Sequence, residues 1–586
     1  MSRDTGRTAT VLALTLLLAG CGSETVPRGS EPSEVASKGA ADSVATTVRF
    51  SDETSRLGPV SPYENGEQAG RNAIVESLGG GVGVCDFDRD GRLDLCFSGG
   101  GLFEGDSLIG LPTSLLRQKS EGAFADVSAA ARIDVPGRYS HGVSVADYDD
   151  DGFSDVLITG YGGVALWRNL GDGTFEQVAE SAGLIDPSWS SSAGWGDLDG
   201  DGNLDLYIAH YVDWSFENDP VCYGPGGKPD VCAPRDFNGL KDAVFSGNGD
   251  GTFRNASDEV GLVPEGKGLG VLLADLDHSG SLDVYVANDT TNNFLYLNDG
   301  QGRLQEQGVL SGAAVDAMAN ANGSMGLVLT DFNLDGHPDL LVANYEDENF
   351  ALYRNDGDAN FLHVSTQAGL NLLGTVFVAF GCVPGDFDLD GDEDIAVTNG
   401  HVVHIPRNAP LRQQPLLLVN ESGERLSRTM PAGSDYFERQ HAGRGLATGD
   451  INRDGRLDLV FSNTREAPAL LLNESPSSGD SLQLRLIGRN GNRSAIGARV
   501  ELVTSAGTLL RHIAGGGSYL STSDLTVHFG KPASADIDDV VIHWPGGHVD
   551  TIPADALDSE SSHRMLVIVE GTDDRPAEVV AVPLAR

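Results

Sequence analysis

The chain has few basic residues for its length. Lysine and arginine number 39 against 86 aspartates and glutamates, a formal net charge of −47 over 586 residues. Nucleic acids and anionic lipid surfaces are recognised by basic patches, so this balance argues against both as partners. The sequence also has no His-Glu-x-x-His, Gly-x-Ser-x-Gly or Walker pattern. These absences favour a non-catalytic protein that does not bind nucleic acid.

Long apolar runs are missing beyond the first twenty residues, so the sequence predicts no permanent membrane-spanning helix. Arg3 and Arg7 precede a short apolar run, followed by Leu18-Ala-Gly-Cys21. A basic start, a short apolar stretch and small residues predict a secretory signal over residues 1–20. Leu-Ala-Gly-Cys resembles the bacterial lipobox, which implies lipidation of Cys21; the alternative is an ordinary signal peptide with an incidental cysteine. Residues 21–47 have the composition of a flexible tether. The expected location is the outer membrane or cell surface of a bacterium, with the membrane reached through the lipid at Cys21.

Cysteine is scarce, with six in the whole chain. Cys222 and Cys232 bracket a Pro/Gly-rich insert that cannot build a core of its own, so an exported protein is expected to close it with a disulfide. Cys85 and Cys96 flank one aspartate-rich loop, where a second bridge and two buried thiols are both open. Cys382 is left over.

Aspartate, by contrast, recurs in a fixed pattern. The segment Asp86-Phe-Asp-Arg-Asp-Gly-Arg-Leu-Asp94 is the first of seven loops in one register, the others starting at Asp147, Asp197, Asp275, Asp331, Asp386 and Asp450. Oxygen ligands at positions 1, 3, 5 and 9, a carbonyl at position 7 and glycine at position 6 describe a Ca²⁺ cage. One copy is equally an Asx-rich turn without metal; seven copies favour calcium. Position 12 is apolar in every copy, so these are not EF-hands.

Around each loop the sequence reads as four short strands. A small Gly-rich strand precedes the loop, an apolar strand follows it, and a Leu-rich strand ending in Asn leads through a Gly-Asp-Gly type turn to a fourth. The seventh unit lacks its fourth strand, whereas residues 48–52 near the N-terminus carry that pattern. We therefore predict an all-β fold whose main domain, residues 48–475, is a seven-bladed β-propeller closed by an N-terminal strand. The insert between Cys222 and Cys232 is expected to project from one face.

The C-terminal part loses the aspartate pattern. Residues 480–570 alternate apolar and polar positions between glycine-rich turns and predict a small β-sandwich-like domain, followed by a tail over 571–586. The segments 492–500, 517–521, 528–530 and 541–546 resemble the ASPIC/UnbV domain, and the repeats resemble FG-GAP (VCBS-type) repeats. Together they resemble the cartilage acidic protein family. That family's chemistry is poorly established, so the resemblance implies an architecture more than an activity.

The FG-GAP resemblance implies up to seven Ca²⁺ ions, held by side chains at positions 1, 3, 5 and 9 and the carbonyl at position 7. The implied ligands are Asp86, Asp88, Asp90, Arg92 and Asp94; Asp147, Asp149, Asp151, Phe153 and Asp155; Asp197, Asp199, Asp201, Asn203 and Asp205; Asp275, Asp277, Ser279, Ser281 and Asp283; Asp331, Asn333, Asp335, His337 and Asp339; Asp386, Asp388, Asp390, Asp392 and Asp394; and Asp450, Asn452, Asp454, Arg456 and Asp458. The neutral residues Asn333, Asn452 and Ser279 are expected to weaken their sites.

Two classes of function fit these features. The first is a calcium-binding, lipid-anchored surface scaffold without catalytic residues, which binds a protein or polysaccharide on a propeller face or on the C-terminal domain. The second is an enzyme or enzyme subunit, carbohydrate-active or hydrolase-like, with a site on one propeller face. Gly105-Asp-Ser-Leu108 matches the GDSL esterase letters but lies between repeats of an all-β chain. His141, His401, His404 and His441 are expected to be core or surface residues.

Overall fold

The computed structural model describes residues 48–135, 137–476, 479–532, 534–557, 563–572 and 574–582. The predicted signal peptide, Cys21 and the tether lie outside these residues. Helices are limited to single turns: the α-helices Ser128–Ala131 and Gly308–Ser311, and the 3₁₀ helices Thr54–Leu57, Glu67–Ala69, Ile74–Ser77, Pro225–Gly227, Pro234–Asp236, Leu370–Leu372, Tyr436–Glu438 and Ala554–Ala556. No helix in the described part of the chain has the length and apolar character needed to cross a membrane.

Seven antiparallel sheets form the main domain, and each contains the four strands of one blade. We number them as blades 1 to 7, and the aspartate-rich loop joining the first two strands of each blade takes the same number. In order from the first strand, the blades are Val82–Cys85, Asp94–Phe97, Ser114–Gln118 and Phe124–Asp126; Ser140–Ala146, Asp155–Gly160, Gly163–Asn169 and Phe175–Gln177; Ser190–Gly196, Asp205–His210, Ala243–Gly247 and Phe253–Asn255; Gly268–Ala274, Asp283–Asn288, Phe294–Asn298 and Leu304–Glu306; Leu327–Thr330, Asp339–Val342, Ala351–Asn355 and Phe361–His363; Ala379–Gly385, Asp394–Asn399, Leu416–Asn420 and Leu426–Thr429; and Gly443–Gly449, Asp458–Asn463, Ala469–Asn473 and Phe50–Asp52. This is the predicted seven-bladed propeller.

The first strands of the blades line the centre of the ring. Each packs against the first strand of the next blade, and blade 7 packs against blade 1, so the ring is closed. The predicted small residues are needed here because the strands approach closely. A Cβ on Gly83, for example, would lie 2.8 Å from the side chain of Val143 on the neighbouring blade.

An N-terminal strand completes blade 7. Phe50–Asp52 pairs antiparallel with the third strand of that blade, with Phe50 opposite Asn473 and Asp52 opposite Leu471. Because the last blade takes its outer strand from the other end of the domain, the ring is held shut by backbone hydrogen bonds. The predicted closure by residues 48–52 is confirmed, with the strand beginning at Phe50.

Two further four-stranded sheets follow the propeller. Their strands, in spatial order, are Val527–Pro532, Gly479–Ile487, His563–Val569 and Glu578–Val582 in one sheet, and Gly507–His512, Arg499–Thr504, Ile537–His543 and Val549–Pro553 in the other. Leu484, Val500 and Ile542 lie in one buried cluster between them. Residues 571–586 were expected to be a tail, but Glu578–Val582 pairs with His563–Val569 as an edge strand. Its side chains are mostly exposed, so the apolar periodicity that marks a buried strand is weak there.

A loop of the C-terminal domain fills the centre of the propeller. We call residues 515–524 the central segment. Its Gly515–Gly516 adds a fifth strand to blade 4, and its backbone bonds to the first strands of blades 1, 2, 4, 5 and 7 through Thr522, Leu520, Gly517, Ser518 and Asp524 respectively. The ring of Tyr519 lies 4.9 Å from that of Phe380 in blade 6, and Leu520 N–H donates to Ser192 in blade 3. The segment therefore contacts every blade, which sequence patterns did not predict.

The disulfide insert joins the second and third strands of blade 3, at the end of the ring away from the aspartate-rich loops. Cys222 and Cys232 are bonded, with Cα atoms 5.1 Å apart. The insert was expected to project, but only part of it does: Tyr223 is exposed whereas Asp230 is buried. The Asp230 carboxylate accepts hydrogen bonds from the backbone N–H groups of His404 at 2.8 Å and Ile405 at 3.0 Å. The insert is thus held against the loop between the second and third strands of blade 6.

The other cysteines of the described residues are buried thiols. Cys85, Cys96 and Cys382 are free and buried, so the second bridge considered for Cys85 and Cys96 does not form. The strand register explains this result. Cys85 lies opposite Asp94, and Cys96 lies opposite Gly83, so the two cysteines do not face each other across the strand pair.

Candidate metal centres

The first aspartate of each loop organises the loop backbone. In loop 5 the two carboxylate oxygens of Asp331 accept hydrogen bonds from the N–H groups of Asp335 and Gly336, both at 3.0 Å. Gly336 has a φ of +84°, which is why glycine is needed at position 6. The position-5 side chain in turn accepts the N–H of position 7 in all seven loops, at Arg92, Phe153, Asn203, Ser281, His337, Asp392 and Arg456.

The ninth-position aspartate ties the loop to the sheet. Asp339 accepts the N–H of Phe332 within the loop at 3.0 Å and the N–H of Asn355 at the end of the third strand at 2.7 Å. The equivalent two bonds occur in all seven blades. The residue is buried in every blade. Its side chain therefore sits at the base of each loop, where it cannot turn away into solvent.

Three carboxylates converge in each of the first four loops. One oxygen from each of positions 1, 3 and 9 lies within 4.8 Å of the others, in the sets Asp86, Asp88 and Asp94; Asp147, Asp149 and Asp155; Asp197, Asp199 and Asp205; and Asp275, Asp277 and Asp283. These aspartate groups could hold a metal ion. Position 5 is not a member of these sets. In loop 1 it bonds instead to Arg92 and Arg117.

Loops 5 and 7 differ at position 3, as expected from their sequence. The side-chain amide of Asn333 donates to Asp335 at 2.8 Å, and that of Asn452 donates to Asp454 at 3.0 Å. In loop 4, Ser279 accepts the N–H of Ser281 at 3.3 Å. These substitutions keep an oxygen in place while removing a negative charge from each loop.

Burial makes these carboxylates costly to ionise without a cation. Burial, reinforced by the neighbouring aspartates, raises the pKa of Asp94 to about 8 and that of Asp386 to about 8. The same causes raise the pKa of Asp147 to about 7 and that of Asp205 to about 7. A divalent ion at these positions would offset this cost with its positive charge.

Some oxygens in these loops have no hydrogen-bond partner among the described residues. They include the Oδ1 atoms of Asp147, Asp275, Asn333 and Asp392, all buried. Buried polar atoms are normally satisfied, so each such atom indicates a missing partner. An all-oxygen donor set with carboxylates suits the hard cations Ca²⁺ and Mg²⁺, and the predicted ligands therefore fit such an ion.

A side-chain amide at the end of the third strand joins adjacent blades. Asn355 in blade 5 donates to the carbonyl of Leu276, the second residue of loop 4, at 2.8 Å. The same bond is made by Asn169, Asn298, Asn420 and Asn473, and Gln118 makes it from blade 1 to loop 7. The recurrent Asn is visible in the sequence, but its role is not. Its recurrence as the last residue of the third strand was the available signal.

Comparison with known proteins bears on these loops. A family model described as an FG-GAP-like repeat matches residues 86–158, 147–208, 275–342 and 331–397, and one described as ASPIC and UnbV matches residues 488–572. The chain belongs to the FG-GAP/UnbV family. The FG-GAP matches begin at the first aspartates of loops 1, 2, 4 and 5, so the loops are part of the family's repeat. The fold is that of a repeat scaffold.

Cartilage acidic protein 1 is a relative. The human protein is 24% identical over 497 residues, which cover 80% of this chain and 69% of the relative. The Xenopus tropicalis protein is 25% identical over 500 residues, covering 80% and 71%. Among solved structures, a lectin from Agrocybe aegerita that recognises non-reducing terminal N-acetylglucosamine is similar at 17% identity, covering 61% of this chain and 82% of its own, with a TM-score of 0.37. A similarity that distant carries no argument about ligands.

The remaining candidate residues have structural contacts. Ser107 of the GDSL-like segment lies in a hairpin turn, where its backbone bonds to Glu104. His141 is buried between the hydroxyl of Tyr63 at 3.1 Å and the indole N–H of Trp189 at 3.0 Å, and burial lowers the pKa of His141 to about 4. His401, His404 and His441 lie near Glu346, Glu76 and Glu466 at 3.3, 3.4 and 2.9 Å.

Proposed function

We propose that this protein is a calcium-binding, non-catalytic scaffold of the bacterial cell envelope. The observation that carries the proposal is the set of converging buried carboxylates in loops 1 to 4. Their pKa values are raised by burial and mutual repulsion, and two of their position-1 oxygens lack a partner. The FG-GAP repeats support the same assignment. Calcium at these loops would brace each blade at the junction of its first three strands.

The absence of catalysis in this proposal is supported by the position of the central segment on the axis of the ring. A propeller-face enzyme commonly places its pocket at the central axis, but here the central segment contacts the first strands there. On the opposite face, the buried histidines engage tyrosine, tryptophan and glutamate partners.

The envelope location rests on the lipobox-like Leu18-Ala-Gly-Cys21 and the tether that follows it. The ligand we propose is a protein or polysaccharide on the outside of the cell. Incorporation of labelled fatty acid by the wild type, but not by Cys21→Ser, tests the anchor. Equal labelling of both proteins would contradict it.

Calcium binding is tested by isothermal titration with CaCl₂ after removal of bound metal with EDTA. We expect saturable binding that is weakened by Asp155→Asn at the base of loop 2. Asp172→Asn is the matched control, because Asp172 is an exposed turn residue outside the seven loops. Titration without heat or saturation in the wild type would refute the proposal.

A further inference from the structure

The C-terminal domain contacts several loops through the same atom. In loops 1, 2 and 7 the contacted atom is Oδ2 of the first aspartate. Arg485 approaches Asp86 Oδ2 at 3.8 Å, Arg493 approaches Asp147 Oδ2 at 3.9 Å, and the amide of Gln483 donates to Asp450 Oδ2 at 2.7 Å. Gln483 and Arg485 lie on the strand Gly479–Ile487, Arg493 lies in the loop that follows it, and the strands themselves pair into the sheets of the C-terminal domain. The shared target is therefore a property of the docked domain rather than of one of its loops.

In loop 6 the C-terminal domain contacts the first aspartate through a glycine, which has no side chain. Gly530 lies so close to Asp386 that a Cβ at this position would be 2.1 Å from Asp386 Oδ2 and 2.7 Å from the Cα of Leu389. Only a residue without a side chain permits both the docked domain and this position of the aspartate. Nearby, the imidazole of His528 lies 3.0 Å from the carbonyl of Gly455 in loop 7.

The two oxygens of the first aspartate thus have separate partners. Oδ2 accepts the N–H of the loop glycine and also faces the C-terminal domain, as at Asp450 with Gly455 and Gln483. Oδ1 points toward the loop interior. It accepts the N–H of position 5 at Asp86, Asp386 and Asp450, and at Asp147 it has no hydrogen-bond partner among the described residues. Fixing Oδ2 from outside the loop therefore fixes the oxygen available to a cation inside it.

We propose that the C-terminal domain is part of the calcium-binding apparatus. By holding Oδ2 of the first aspartate in loops 1, 2, 6 and 7, it orients Oδ1 for the ion, so docking and calcium binding strengthen each other. The proposal rests on calcium being the ion of these loops. The docked domain already orders each loop, so metal binding does not incur that entropic cost a second time.

Linkage requires the reverse effect as well. If docking strengthens calcium binding, calcium strengthens docking by the same factor. The domain carries the central segment, whose Asp524 N–H donates to Thr448 at 3.0 Å, beside loop 7. Chelation should therefore raise hydrogen exchange in residues 515–524, far along the chain from any predicted ligand.

Gln483 isolates the positioning effect from charge. Arg485 and Arg493 each have two effects: the side chain orients an aspartate, and its positive charge repels an incoming cation. Gln483 is neutral, so its replacement changes only the orientation of the aspartate. Removing a hydrogen-bond partner outside the ligand shell costs roughly 10–100-fold in metal affinity. We expect Gln483→Ala to weaken calcium binding at one site by about tenfold.

The experiment uses the full chain and CaCl₂. Calcium affinity is measured by titration, and exchange of residues 515–524 is measured by mass spectrometry in calcium and in EGTA. Gln483→Ala should show one weakened site and faster exchange, while Gln305→Ala, an exposed residue of blade 4, should match the wild type. Gly530→Ala should have the stronger effect, with Gly491→Ala as its control because a Cβ there meets its nearest atom at 3.9 Å.

Two failures are distinguishable. If the wild type takes up no calcium, the proposed function fails and this inference fails with it. If calcium binds equally well to wild type and both variants, and exchange of residues 515–524 does not depend on calcium, only the coupling is refuted.

Discussion

Removal of calcium should lower the melting temperature of the protein by an amount that can be calculated. Four loops bring three carboxylates together. At a free calcium concentration about tenfold above Kd, one site stabilises the folded state by about 1.4 kcal/mol. Four independent sites then contribute about 6 kcal/mol, within the range of roughly 5–15 kcal/mol typical of a whole domain.

The corresponding temperature shift is modest because the folded unit is large. At about 2.1 cal/mol/K per residue, a unit of roughly 540 residues has an unfolding entropy of about 1.1 kcal/mol/K, so about 6 kcal/mol corresponds to about 5 °C. Differential scanning calorimetry in calcium and in excess EDTA measures the shift, and re-addition of calcium should reverse it. Identical melting curves in the two buffers would refute the reasoning.

Three other perturbations follow from particular contacts. Gly81→Ala should destabilise the protein by about 3 kcal/mol and raise exchange in the central segment, because its Cβ would lie 1.6 Å from the carbonyl oxygen of Leu520. Asn355→Ala should cost about 2 kcal/mol in denaturant unfolding, since it leaves a buried carbonyl of loop 4 without its donor. Asp186, 3.1 Å from His210, has its pKa lowered to about 2 despite burial, chiefly by its hydrogen bond and charge interaction with that imidazole; its contribution of about 2 kcal/mol is present above pH 4 and lost as pH falls toward 2.

Each of these has its own control. A Cβ on Gly137 would meet nothing within 4 Å, so Gly137→Ala should leave stability and exchange unchanged, and equal effects at Gly81 and Gly137 would contradict a filled ring centre. Asn360→Ala is the control for Asn355→Ala, because it removes an exposed turn amide in the same blade. An equal loss of unfolding free energy in the two variants would contradict a stabilising role for the inter-blade bond. The acid dependence should be reduced in Asp186→Asn, and a parallel dependence in wild type and variant would refute the pair's role.

The pair has a second pH limit on the alkaline side. His210 donates from both ring nitrogens, to the carbonyl of Lys241 at 2.6 Å and to Asp186, which requires the protonated imidazole. Its pKa is raised: burial opposes the charge, but the bonds to Asp186 and the charge of Asp242 outweigh it. This contribution is complete below the unfolded pKa of about 6.5 and is lost as pH rises through the folded pKa.

Sequence analysis predicted the parts of this structure that depend on local chemistry. The loops follow from Asx turns and a glycine at position 6, whose bonds, such as Gly336 N–H to Asp331, span only a few residues. The closure of blade 7 was predictable because a missing strand pattern reappeared near Phe50. The inter-blade amides also recur at one position of the repeat. The partner of Asn355, however, lies 79 residues away in the chain, so no local sequence pattern identifies it.

The remaining features depend on how distant segments approach. The glycines at 515–517 resemble an ordinary turn, and only the folded ring shows that a Cβ on Gly515 would lie 1.8 Å from the carbonyl oxygen of Trp195. The state of Cys85 and Cys96 depended on strand register, which a two-residue periodicity leaves undetermined. The contacts of the C-terminal domain with the aspartates likewise require both domains to be in place.

The most direct test of the account is the calcium content of the purified protein. Plasma mass spectrometry after dialysis against calcium-containing buffer counts bound ions per chain. We expect at least four, one for each loop in which three carboxylates meet, and four fewer after the position-9 aspartates of those loops are replaced by alanine. Protein that retains its fold and contains no calcium after dialysis would contradict the account.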